Sequence, residues 1–120
     1  MTEKKWKETI TEKCKEVGTY KPAFDPVIDS LASILAQRDK TKKEFKASGG
    51  KSMVEHTNKN GSTNMVKNPL LALLDTQNAT ALAYWRDLGL TPAGLKKLNE
   101  NALKKPKTNA LTEALNKIGG

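Results

Sequence analysis

The stretch from Asn68 to Leu98, NPLLALLDTQNATALAYWRDLGLTPAGLKKL, constrains the fold more than any other part of the chain. Asn68 is a good helix N-cap, and Pro69 suits the first helical position, where its missing N–H is not needed. Leu71, Leu74, Asn78, Ala81, Trp85 and Leu88 then recur at alternating spacings of three and four, which stacks them in one stripe. Gly89 supplies the left-handed residue that ends a helix, and Thr91 with Pro92 restarts one at once. Leu90 and Leu95 fall at the positions of a hydrophobic staple across this restart.

Asp25 and Pro26 repeat the cap-plus-proline start upstream. They predict a second long helix over about 26–47, with Ile28, Leu31, Leu35, Arg38, Lys42 and Phe45 in its stripe and Ser48-Gly49-Gly50 as its stop. Between the two helices, KSMVEHTNKNGSTNMVK predicts a β-hairpin over about 52–66, turning at Asn60-Gly61 in a type I′ turn. Counting outward pairs Lys59 with Ser62, Thr57 with Asn64 and Glu55 with Val66, so that Met53 and Val66 share a face. Such a hairpin is marginal in water alone and is expected to pack on something, a neighbouring subunit included. It also returns the chain, which makes the long helices antiparallel. Head to tail, Leu31 meets Trp85, Leu35 meets Ala81, Arg38 meets Asn78, Lys42 meets Leu74 and Phe45 meets Leu71. Two readings of Arg38 stand: a polar pair with Asn78 that fixes register or bonds across an interface, or a side chain lying over the stripe with its head in water.

Flanking elements complete a mainly α architecture. Trp6, Ile10, Cys14 and Val17 mark an N-terminal helix over 2–17, with Glu3 and Lys7 as a helix ion pair and Gly18 as its end. A capping helix follows over 92–104. Pro106 then interrupts any continuous helix, and Leu111, Leu115 and Ile118 mark a short last one. The predicted organisation is one helical domain over 1–105, with a helical-hairpin core at 25–88, and a C-terminal tail over 106–120.

Twenty-one Lys and Arg against thirteen Asp and Glu give a net charge of +8 and a pI near 9.6. That surface favours polyanions, and nucleic acid ahead of membrane, since no apolar run approaches the ~20 residues needed to span a bilayer. The charged start, MTEKKWKETITEKCKEVG, does not read as a secretory leader, and a lone Cys14 in an apolar stripe suits a reducing cytoplasm. Lys40, Lys43, Lys46, Lys51 and Lys59 are the expected phosphate contacts, with the basic helix end and the hairpin tip close together. Lys96 and Lys97 form a second candidate patch. Leu31, Leu35, Arg38, Phe45, Leu71, Leu74, Asn78, Trp85 and Leu88 are the expected core and oligomerisation residues.

Catalysis finds little support, and no enzyme, metal or cofactor is expected. His56 is the only histidine, and EHTNKNG lacks the second histidine that a nuclease site of that type needs. Gly49-Gly50-Lys51-Ser52 lacks the earlier glycine of a P-loop and follows a helix rather than a strand. A helix-turn-helix over 81–101 stays open as an alternative, with Lys96, Lys97, Asn99 and Asn101 facing a groove. Against it, the first helix is too long and Trp85 too bulky so close to the turn.

Three segments carry a family resemblance: YKPAFDPVIDSLASILAQRD, EHTNKNGSTNMVKNPLL and, most specifically, ALAYWRDLGLTPAGLKKL. Together they resemble phage terminase small subunits of the Gram-positive phage and prophage type with the LGLTP motif. The resemblance implies a non-catalytic DNA-packaging protein that acts in the host bacterial cytoplasm. It would assemble into an oligomeric ring, recognise double-stranded viral DNA and recruit or regulate the large ATPase and nuclease subunit. Family members often carry an arginine soon after the motif's proline, where this chain has Gly94, Leu95 and Lys96, so no anion-binding role is carried over to that point. The alternatives are a small basic helix-turn-helix regulator and a purely structural adaptor.

Overall fold

The structure is a computed structural model that describes residues 1–101. In chain order it contains α1 (Glu3–Val17), a 3-10 turn (Pro22–Phe24), α2 (Asp25–Ala47), β1 (Met53–Thr57), β2 (Thr63–Lys67) and α3 (Pro69–Asp87). A fourth helix, α4, occupies 92–101. The expected fold class is the one observed, two long helices joined by an antiparallel hairpin. The end of the capping helix at 104, the tail over 106–120 and its Leu111, Leu115 and Ile118 stripe lie outside the described residues.

Local signals set most of these boundaries. The Thr2 side chain caps α1 by accepting from the Lys5 N–H at 3.2 Å, and Asn68 caps α3 by accepting from the Leu70 N–H at 3.0 Å. At α2 the expected cap is absent. The 3-10 turn runs straight into the helix, the Asp25 N–H bonds the Pro22 carbonyl, and the Asp25 carboxylate instead accepts from the Tyr20 hydroxyl at 3.1 Å. That bond raises the Tyr20 pKa above its ordinary value, with burial adding to it. Lys7 likewise leaves Glu3 and pairs with Asp29 of α2 at 2.8 Å, because α1 lies against α2 rather than in open solvent.

Helix α2 is central, packed by α1 on one side and α3 on the other. The core joins Ile10 and Cys14 of α1, Ile28, Leu31, Ala32 and Leu35 of α2, and Ala81 with Leu88 at the end of α3. Trp6, Tyr20, Phe24, Tyr84 and Trp85 close around it, half-buried. Toward the hairpin, where α1 no longer covers the pair, the inward residues are Thr41 of α2 and Leu74 of α3. Lys42 and Asn78, expected in the two stripes, are exposed, while Gln77 is half-buried. A stripe of alternating three and four spacings drifts by roughly 20° per heptad on a straight helix, so the contact face turns away from it with distance.

The hairpin differs by one residue in register. Val54 faces Val66, Glu55 faces Met65 and Met53 faces Lys67, so the two valines share one face and the two methionines the other. The cause is the turn. The Gly61 N–H donates to the Asn58 carbonyl at 3.0 Å and the Asn58 N–H to the Ser62 carbonyl at 2.7 Å, closing a loop whose positive φ, 85°, falls on Gly61 alone. This is a type I turn with a glycine bulge, and the extra residue shifts every pair. Among the described residues, no helix packs along the hairpin.

Candidate nucleic-acid interface

Lys40, Lys42, Lys43 and Lys46 stand exposed on the second half of α2, and Lys51 follows at the base of the hairpin. None of them joins an ion pair among the described residues. From residue 40 to 67 the chain carries seven lysines against Glu44 and Glu55, and only Lys67 is matched, to Asp75 at 3.3 Å.

Asp39 does not offset these lysines, because its carboxylate faces α1. It accepts from the Trp6 indole N–H at 2.8 Å and from the N-terminal amine at 3.2 Å, and Arg38 lies 3.5 Å away. Burial alone pushes its pKa up; the two hydrogen bonds and the positive charges of the amine and Arg38 outweigh it and hold the carboxyl below its ordinary range. The Arg38 guanidinium also sits 5.7 Å from the Trp6 ring centre. Arg38 is therefore engaged with α1 and its neighbour Asp39, and the pair expected with Asn78 is not made.

Lys59 occupies the hairpin tip, between Asn58 and Asn60. Five-residue strands extend ~17 Å, so Lys59 stands well away from the helix end, contrary to the expectation that the two lie together. The α2 lysines, Lys51 and Lys59 form a row rather than a patch.

A second basic group surrounds the turn between α3 and α4. The Leu90 N–H bonds the Trp85 carbonyl at 2.8 Å and the Gly89 N–H bonds the Arg86 carbonyl at 3.0 Å, the paired bonds of a Schellman stop. Gly89 has a φ of 74°, and a Cβ there would meet Leu98 and Thr19. A Cβ on Gly94 would run into the Arg86 carbonyl, while its N–H donates to the Thr91 hydroxyl at 3.0 Å. The glycines thus let α4 close on the end of α3. This brings Arg86 and Lys97, with Asp87 and Asn101, around one shallow cleft of about 270 Å³. Lys96 is exposed beside it. Arg86 escaped the sequence reading because it belongs to α3, and only the tight turn puts it beside α4. On the other side of the turn Val17, Trp85, Leu90, Pro92 and Leu95 line an apolar groove of about 740 Å³.

Comparison with known proteins decides what this arrangement belongs to. A family model described as phage terminase, small subunit, matches residues 3–105. The chain belongs to the phage terminase small-subunit family. No curated protein and no solved structure matches it. The LGLTPAG segment of this family member is the tight turn just described.

Of the expected core and interface residues, Leu31, Leu35, Leu74 and Leu88 are buried, and Arg38, Phe45, Leu71 and Trp85 are half-buried. Among the described residues no three His, Cys, Asp or Glu side chains form a group able to hold a metal, and no helix is long and apolar enough to cross a membrane. His56 is an exposed strand residue facing Asn64. Cys14 is buried in the core, and that burial pushes its thiol pKa up, away from the reactive thiolate.

Proposed function

We propose that this chain is the non-catalytic, DNA-binding component of a phage packaging machine. In this reading it assembles with copies of itself, engages double-stranded viral DNA, and recruits or regulates the large ATPase and nuclease subunit in the host cytoplasm. Family membership supports the packaging role. The observation that carries DNA binding is the row of unmatched lysines on α2 and the hairpin, Lys40, Lys43, Lys46, Lys51 and Lys59. A row suits an extended polyanion: each lysine that meets a phosphate releases condensed counterions, which gives affinity without reading sequence. Lys96 and Lys97, joined by Arg86, are a second surface for DNA.

The test is a salt titration of duplex binding. Replacing Lys40, Lys43 and Lys46 with Ala is expected to weaken binding and to lower the slope of log K against log salt by about 0.9 for each phosphate that is no longer neutralised. Unchanged affinity and slope would take this row out of the interface. The same weakening on Lys96→Ala with Lys97→Ala, and a footprint over a short palindrome, would favour the helix-turn-helix reading.

A further inference from the structure

Two surfaces of this chain are apolar, exposed and without a partner among the described residues. One is the outer side of α3. Between Lys67 and Arg86 there is no Lys or Arg, in a chain with 21 of them, and the single charge, Asp75, is matched by Lys67. Leu73 and Leu82 stand 45 % and 48 % exposed on its two flanks, with Thr76 and Ala79 between them, also exposed. The other surface is the hairpin face that carries Met53 and Met65, 43 % and 59 % exposed.

Within one chain these surfaces cannot meet. Asn68 is the single residue between β2 and α3, and it is 4 % exposed and fully engaged. Its N–H donates to the Ser52 carbonyl at 2.8 Å, its side-chain amide to the Lys51 carbonyl at 3.0 Å, and its side-chain oxygen accepts from Leu70. These bonds hold the base of the hairpin at the head of α3 and stop it folding back along the helix. A two-stranded hairpin with both faces in water is marginal, so it needs cover that its own chain does not give.

We propose that the Met53 and Met65 face of one copy's hairpin packs on the outer face of α3 of a second copy. The dimensions agree: a five-residue strand spans ~17 Å, and the nine residues from Leu73 to Leu82 rise ~14 Å. Long, adaptable methionine side chains fill the shallow surface between the two leucines. Charge selects the same pairing. Copies that each carry +8 repel one another over most of their surface, and the side of α3 without basic residues is where they approach at least cost. This contact rests on the oligomeric reading above and adds which surfaces make it.

The test is complementation, read as solution mass by light scattering. Met65→Asp spoils the hairpin face and leaves α3 intact; Leu82→Glu does the reverse, and both positions are exposed. Each variant alone is expected to stay near 13.2 kDa while the parent assembles, and a one-to-one mixture is expected to recover a pair of about twice that mass. Met53→Asp and Leu73→Glu give the same readings from neighbouring positions. If Met65→Asp and Met53→Asp assemble as the parent does, the hairpin is not in the contact and the proposal fails while oligomerisation stands. Mixtures of both variant pairs that remain monomeric overturn it too. A parent chain that is monomeric at every concentration removes the oligomeric reading, and this contact with it.

Discussion

At residue scale, Asp39 shows how one carboxylate serves the fold and leaves a basic surface bare. Its side chain is 20 % exposed, and its hydrogen-bond partners, Trp6 and the terminal amine, belong to the N-terminal segment. Because its folded pKa is depressed, its contribution is complete above the unfolded carboxylate value, about 3.9, and is lost as pH falls through the lower folded value. Asp39→Asn is therefore expected to lower stability by about 1–2 kcal/mol at neutral pH, the worth of a charged hydrogen bond that is partly solvated. Parent and variant should converge in acid. Denaturant unfolding at neutral pH and again below the carboxylate range checks both the size and the sign. The same substitution leaves Lys40 to Lys46 untouched, so any change in DNA affinity would have to come through α1.

At the scale of elements, the joint between β2 and α3 is one residue with two roles. The Asn68 oxygen caps α3 and its amide nitrogen clamps the base of the hairpin to Lys51. Asn68→Asp keeps the acceptor and loses the donor; Asn68→Ala loses both. We expect Asp to hold α3 while releasing the hairpin, and Ala to cost about 1–2 kcal/mol, a cap together with a buried hydrogen bond. Thermal melting gives the stability of each, and amide exchange of β1 and β2 shows whether the clamp has opened. The drift of the helical contact face belongs to this scale as well. It explains why Thr41 and Gln77 turn inward where Lys42 and Asn78 complete the linear pattern.

For the whole molecule, the net charge of +8 acts in opposite directions on the two associations proposed here. Duplex binding draws on counterion release and weakens as salt rises, by orders of magnitude over a few-fold change when several phosphates are met. Self-association works against like-charge repulsion, which salt screens over a Debye length of about 10 Å at 0.1 M. Raising salt is thus expected to release DNA while assembled mass holds or grows. Light scattering and duplex binding, measured across one salt series, check this. Parallel loss of both would mean that copies associate through charged groups rather than the apolar face of α3.

The family was legible in the linear chain because its signal is local. Asn68-Pro69, the glycine stop at Gly89 and the Thr91-Pro92 restart each act within one turn of helix, and so does the cap at Thr2. Periodicity placed both long helices for the same reason. What depended on packing across the molecule was not legible. The Asp25 carboxylate goes to Tyr20 because a 3-10 turn feeds α2, and Lys7 goes to Asp29 because α1 lies on α2. Asn60-Gly61 suits two turns that differ by one residue, and the bonds of the closed loop choose between them. The lysines of the candidate interface were visible as residues; their arrangement as a row, and the arrival of Arg86 beside Lys97, were not. Caps, stops and periods are short-range properties that the chain itself determines. Which charge is matched, which face is covered and which distant side chains meet is decided only when helices close on one another, because those energies exist only between elements.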